Sequence, residues 1–293
     1  MRFVLAAAAA LLASTAMAAD VIVSETAPFE VEPTVARSIL LGAGVGVAPK
    51  YEGSDEYRVF PFPIFSYDSG TGVDGPRRFE FRGLDDIRLH ALRLGGFSAG
   101  PLVGYRFGRE ENDADILAGT GDIDDGFVGG GFVAYDFEVS EAVTLGADLA
   151  ISTQFTGDPF DTERFVDTIG LDYGYTVDFG VSANLDLTTR ANLALRAGAE
   201  YADDEYMQTQ FGLTSTQSAA SIAAGPALAP FDADAGIKNV YINANLAYDV
   251  TDSFQIRAGA GYSRLLNDAA DSPISVDDNQ FSSSLGAAYR FRF

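Results

Sequence analysis

The carboxyl end of the chain, Tyr289-Arg290-Phe291-Arg292-Phe293, alternates aromatic and basic side chains and stops on a phenylalanine. Successive side chains of an extended backbone point to opposite faces, so the three aromatics share one face and the two arginines the other. A closing strand of this kind sets an apolar face against lipid and a polar face against water, as in a transmembrane β-barrel of the bacterial outer membrane. In that setting Tyr289, Phe291 and Phe293 are the expected signal to the barrel-assembly machinery.

The amino end agrees with export. Met1-Arg2 is a short positive region, Phe3 to Ala13 is an apolar run, and Ala16-Met17-Ala18 supplies a small-x-small cleavage pattern. Residues 1–18 are therefore expected to be a signal peptide. The apolar run is too short to cross a bilayer as a helix, which needs about 20 residues. No later segment reaches that length, so the exported chain is periplasmic, secreted or a barrel.

Composition narrows the choice. The chain has no cysteine, hence no disulfide framework, thiolate metal site or thiol nucleophile. Its formal charge of −23 excludes a nucleic-acid partner, whose phosphates require a positive surface. Acidity is compatible with membrane insertion when the carboxylates sit in loops or face a lumen.

The alternation along the chain decides between a soluble sandwich and a barrel. Ile39, Leu41, Ala43, Val45 and Val47 alternate with Leu40, Gly42, Gly44 and Gly46. Val143, Leu145, Ala147, Leu149 and Ile151 alternate with Thr144, Gly146, Asp148, Ala150 and Ser152. A third run, from Ile169 through Phe179, does the same. The second face is mostly Gly, Ser, Thr and Asp, and the strands reach the roughly 9–11 residues a membrane requires.

Three connections are short, at 140–142, 188–191 and 251–253, and between them lie long acidic loops near 109–126, 156–167, 202–237 and 266–279. Outer-membrane barrels keep their short turns on the periplasmic side and their long loops outside. Twelve strands are predicted, near 37–48, 57–68, 77–83, 86–93, 97–108, 127–138, 143–155, 168–182, 192–201, 238–250, 254–265 and 280–293. The even number returns both ends to the periplasm. Gly83-Leu84-Asp85-Asp86 reads as a tight turn or as a bulge, which leaves ten strands as the alternative. Residues 19–36 show no sustained alternation and read as a periplasmic tail, with the barrel over 37–293.

With the apolar parity set against lipid, Arg106, Arg196, Arg257, Arg290 and Arg292 point into the barrel, as do Asp136, Asp148, Asp172, Asp178 and Glu200. An arginine facing lipid near the midplane would cost about 2–4 kcal/mol, so the central charges must turn inward. They form either an ion-pair network bracing the wall or the lining of an aqueous path. Twelve strands lie between the filled eight-stranded barrels and the open sixteen-stranded porins, and permit both.

Catalysis finds little support. Gly96-Phe97-Ser98-Ala99-Gly100 matches G-x-S-x-G, which is meaningful only at a strand-to-helix elbow. Here Pro101 to Tyr105 continues it as a strand. The single histidine, His90, shares the lumenal parity with Ser98 but reads as a packing residue. Asp268, Asp271, Asp277 and Asp278 match no EF-hand spacing and are read as solvated loop charge. No catalytic residue, metal or cofactor is expected. The loop 202–237, with Phe211 and Phe231, is long enough to fold inward as a plug.

Several segments resemble the MipA/OmpV family of outer-membrane proteins. They are Gly42-Ala43-Gly44-Val45-Gly46 followed by Pro49-Lys50-Tyr51-Glu52-Gly53-Ser54-Asp55, then Pro61-Phe62-Pro63, Phe211-Gly212-Leu213-Thr214, Tyr262-Ser263-Arg264-Leu265-Leu266 and Asp268 to Ile274. The resemblance spans nearly the whole mature chain. It implies a non-enzymatic scaffold that contacts a periplasmic murein transglycosylase and a murein synthase, with a narrow porin-like channel as the alternative. The family offers no catalytic motif to carry over.

Overall fold

The computed structural model describes residues 38–68, 78–155 and 173–293. The expected signal peptide, the 19–36 tail, the 156–167 loop and Asp172 lie outside the described residues. Thirteen strands form one antiparallel sheet: β1 (Ser38–Pro49), β2 (Tyr57–Asp68), β3 (Arg78–Phe81), β4 (Ile87–Leu89), β5 (Leu92–Leu94), β6 (Phe97–Arg106) and β7 (Gly126–Ser140) come first. They are followed by β8 (Val143–Phe155), β9 (Tyr175–Thr188), β10 (Ala191–Ala202), β11 (Gly236–Asp249), β12 (Phe254–Leu265) and β13 (Asn279–Arg292).

The sheet closes on itself. β1 pairs with β13 from Ser38↔Arg292 to Val47↔Ser283, and β4 pairs with β6. β4 and β5 lie end to end against β6, through Arg88↔Leu102 and then Leu92↔Ala99, and count as a single stave. The barrel thus has twelve staves, and residues 82–86 form the turn between β3 and β4.

The break in that stave has a local cause. Ala91 N–H bonds back to the Leu89 carbonyl at 2.8 Å, which buckles the chain at His90. The Leu89 carbonyl then lies so close to Gly100 that any Cβ there would collide with it. Gly96 is pressed in the same way against the Asp136 carbonyl. Both glycines of the G-x-S-x-G string are therefore explained by backbone approach within the wall, and the string continues as β6 with no helix after it.

Parity follows the sequence reading. Leu41, Val45, Leu145, Leu149, Ile151, Phe179, Val181, Ile242, Leu285, Tyr289 and Phe291 are all exposed on the outer wall. Such an apolar belt is stable only against hydrocarbon. The inner face carries Asp148, Thr176, Gln154 and Gln255, all buried. Two inward patches are apolar instead: Leu102, Val128, Phe132 and Ala150 on one side, and Leu40, Phe62, Ile64 and Ala288 on the other.

Among the described residues three α-helices sit in the loops at one end: α1 (Asp204–Phe211), α2 (Ser215–Ala224) and α3 (Asn267–Asp271). Asp203 caps α1 by accepting the Tyr206 N–H, and Thr214 with Gln217 forms a capping box on α2.

Candidate functional site

Asp148 on β8 is the centre of the inner charge cluster. Its Oδ2 accepts from Arg88 Nη1 at 2.8 Å and from Arg196 Nη2 at 2.7 Å, and Arg82 Nη1 lies 3.3 Å from Oδ1. β4 and β8 are separated in the wall by β6 and β7, so the Arg88–Asp148 bond runs as a chord across the interior. Arg88 is further gripped by Asp86 through Nε at 2.7 Å and Nη2 at 2.8 Å, a planar fork matched to a carboxylate. Its guanidinium lies 4.9 Å from the Phe132 ring. Arg196 also binds Asp178, whose second oxygen accepts from Tyr241 Oη at 2.6 Å. Only 1 % of the Arg88 side chain and 3 % of that of Asp148 is exposed, so these pairs are desolvated.

A second cluster lies nearer the helical end. Lys238 Nζ, with its side chain 1 % exposed, contacts Glu52 Oε1 at 2.6 Å and Glu200 Oε2 at 3.0 Å and donates to Tyr206 Oη at 3.2 Å. The Tyr206 ring of α1 receives Lys238 Nζ 4.8 Å from its centroid, and the Arg106 guanidinium of β6 lies 5.3 Å from it. α1 is thus clamped between distant staves of the barrel. Around it the loops 50–56, 107–125, 203–235 and 266–278 pack into a lid. Met207, Phe211 and Ala269 are fully buried in one core, and Leu117, Leu213 and Ile274 in another. Arg109 Nη1 donates to the Gln210 carbonyl at 2.7 Å and Ser272 Oγ to the Phe211 carbonyl at 2.6 Å, tying three loops together.

The lid carries its own pH dependence. Burial pushes the Tyr206 hydroxyl up to about 12, and burial does the same to Tyr51, also to about 12, where its hydroxyl donates to the Ile274 carbonyl. An unfolded tyrosine ionises near 10, so the native lid favours the neutral phenols. That contribution is complete below pH 10 and is lost as pH rises through about 12. Ultraviolet titration of the folded protein should show Tyr51 and Tyr206 among the tyrosines that ionise late. Replacing Tyr206 with phenylalanine should remove one of them.

The sequence-predicted residues separate by level. Asp148, Asp178 and Arg196 meet in the first cluster, while Arg106 and Glu200 belong to the second. Towards the opposite rim, Arg290 reaches Asp249 at 3.4 Å and Arg257 Nε donates to Gln255 at 2.7 Å. No ion pair joins Asp136 or Arg292 to another described residue, and Arg292 is exposed. Arg82, Arg88, Asp86, Glu52 and Lys238 complete the clusters and were not anticipated. For Lys238 a signal existed. Ile237-Lys238-Asn239-Val240 interrupts the alternation with two adjacent polar residues, and the structure places a bulge there, with Glu200 opposite Asn239 and Tyr201 opposite Ile237. The bulge turns the extra residue, Lys238, into the lumen.

His90 and Ser98 are both buried, but no hydrogen bond joins them. His90 Nε2 faces Glu80 at 3.0 Å, and its ring meets Phe132 edge-on at 4.9 Å. His90 Nδ1 and Ser98 Oγ have no hydrogen-bond partner. Among the described residues no group of three or more His, Asp or Glu converges as a metal site.

The family model described as "MltA-interacting protein MipA" matches residues 41–291. The chain is 28 % identical to outer membrane protein OmpV of Vibrio cholerae over 220 residues, covering 66 % of this chain and 79 % of that protein. It is 26 % identical to outer membrane protein Omp26La of Vibrio anguillarum over 216 residues, covering 65 % and 77 %. Solved structures similar to it include OmpT of Vibrio cholerae, at 9 % identity and TM-score 0.38 over 89 % of this chain and 99 % of that one. The NanC porin gives 9 % and 0.37 over 87 % and 99 %.

Proposed function

The chain belongs to the MltA-interacting protein MipA family of outer-membrane barrels, and from that membership we propose that it is a closed, non-enzymatic scaffold which holds murein-remodelling enzymes at its periplasmic end. Residues 1–18 are removed on export in this reading, and the short turns and the 19–36 tail each supply contacts to the partner. A murein transglycosylase and a murein synthase are the partners implied. The observation that carries the reading is the Arg88–Asp148–Arg196 bridge, because chords of desolvated ion pairs across a lumen leave little room for solute flow. The packed lid supports it from the other end. The separation of His90 from Ser98 supports the absence of serine-hydrolase chemistry, which requires a nucleophile in contact with its base.

The test joins two measurements on the refolded protein. A planar bilayer containing it should stay silent at moderate salt. Purified murein transglycosylase should be captured by the wild type and lost when the tail is deleted or when Glu141, Arg190 and Asp252 are charge-reversed together. Capture that survives both changes would refute this placement of the contact surface. A second reading, a narrow channel, draws on a lumenal cavity of ≈ 220 Å³ beside the bridge. Steady conductance steps whose reversal potential moves in Arg196→Glu or Arg257→Glu would favour it.

A further inference from the structure

The lumen has two unlike walls. Around β3, β4 and β8 to β10 its charges are spent on one another. Along β11 to β13 the inner face carries amides, hydroxyls and glycines in register. Asn243 lies opposite Gly261, which lies opposite Ser282, and one rung further on Asn245, Gly259 and Ser284 repeat the pattern. A Cβ on Gly261 would overlap both Asn243 Oδ1 and Ser282 Oγ, and one on Gly259 would overlap Asn245 Oδ1 and Ser284 Oγ. Each glycine therefore lets an amide and a hydroxyl lean together over bare backbone. None of these four polar side chains hydrogen-bonds another described residue. Above them Asn239, 8 % exposed, keeps its Oδ1 buried and without a partner. Asn239, Tyr241, Asn243, Ser263 and Ser282 line one cavity of ≈ 220 Å³.

We infer that this wall is a binding site for an uncharged, polyhydroxylated solute of about monosaccharide size. The inference stands apart from the scaffold reading, since a closed barrel and a channel would both retain the cavity. Size comes from the cavity, which is smaller than the roughly 300–1,000 Å³ of sites for drug-sized ligands. Neutrality comes from its charges. The one carboxylate in the lining, Glu200, is held by Lys238 at 3.0 Å, so an ionic ligand would be desolvated without a counter-charge. Hydroxyl groups both donate and accept, which matches amides and serines, whereas a hydrocarbon would leave every one of these groups unsatisfied.

The test is saturation-transfer NMR on the full barrel in zwitterionic micelles, with glucose as the probe and gluconate as its anionic counterpart. Glucose should receive saturation with a dissociation constant on the order of 1 mM, and gluconate should receive none. Asn243→Ala and Ser282→Ala should each weaken glucose binding roughly fivefold, the loss of about one neutral hydrogen bond. Asn184→Ala, a change on β9 away from the cavity, should leave it unaltered. Circular dichroism confirming that each variant is folded makes the comparison valid. The inference is overturned if glucose receives no saturation, if gluconate binds equally well, or if the three variants behave alike.

Discussion

Asp148→Ala should lower the stability of the barrel by about 3–5 kcal/mol, the usual result of removing one partner from a buried ion pair. The cause is what the substitution leaves behind. Arg82, Arg88 and Arg196 converge on this carboxylate from the β3–β4 turn, β4 and β10, and Arg88 is almost wholly buried. Without Asp148 they face one another in a desolvated interior. Asp86 and Asp178 can hold Arg88 and Arg196, and Arg82 keeps the longer contact of its Nε with Glu80 Oε2 at 3.5 Å. Denaturant unfolding of the protein in lipid vesicles measures the loss. Adding Arg88→Met to the alanine variant should recover part of it, with a coupling of about 0.5–3 kcal/mol. If the double variant is as unstable as the sum of the singles, Asp148 and Arg88 do not act as a pair. Asp148→Asn should fall between wild type and alanine, because the amide keeps the shape and one acceptor but loses the charge.

Lys238→Met should release the lid while the barrel stays folded. The methionine fills much of the same volume but leaves Glu52 and Glu200 without their shared cation, and Tyr206 loses the donor at 3.2 Å. Glu52 belongs to the 50–56 loop and Tyr206 to α1, so the damage falls on contacts between loops and wall. A local cost of about 3–5 kcal/mol raises the open population on the order of 10²–10⁴-fold. The measurement is limited proteolysis with chymotrypsin, whose sites at Tyr206, Phe211 and Leu213 are buried in the wild type. Rapid cutting within 203–235 is expected in the variant, with the rest of the barrel resistant. Glu52→Gln should have a smaller effect, because the Lys238–Glu200 contact survives. A Lys238→Met lid that resists cleavage like the wild type would show that its apolar cores hold it without the ion cluster.

The gap between these two sites and the sequence reading has a simple origin. Asp148, Asp178 and Arg196 were legible as inward because parity is a local property. Leu149 and Ile151 face lipid, so Asp148 cannot. Which arginine would meet Asp148 was not legible, because Arg88 comes from a stave two positions removed from β8's neighbour and lies on a stretch with weak alternation. Lys238 violated the parity rule, and the bulge that explains it exists only in the pairing of β10 with β11. The loop 203–235 was long enough to fold inward, yet its helices depend on contacts with three other loops that have no signature of their own.

What the amino-acid sequence determined by itself was everything with a period of two: an antiparallel barrel of ten or twelve staves, with an apolar outer wall and a polar inner one. The lipid enforces those features residue by residue, through a penalty of about 2–4 kcal/mol for a misplaced arginine. Only the tertiary structure decided which inward charges cancel, where the bulge presents Lys238, how four loops pack against one another, and which wall keeps its amides and serines unspent. Those outcomes depend on the stagger between strands far apart in the chain, and closing the ring sets that stagger for all staves at once.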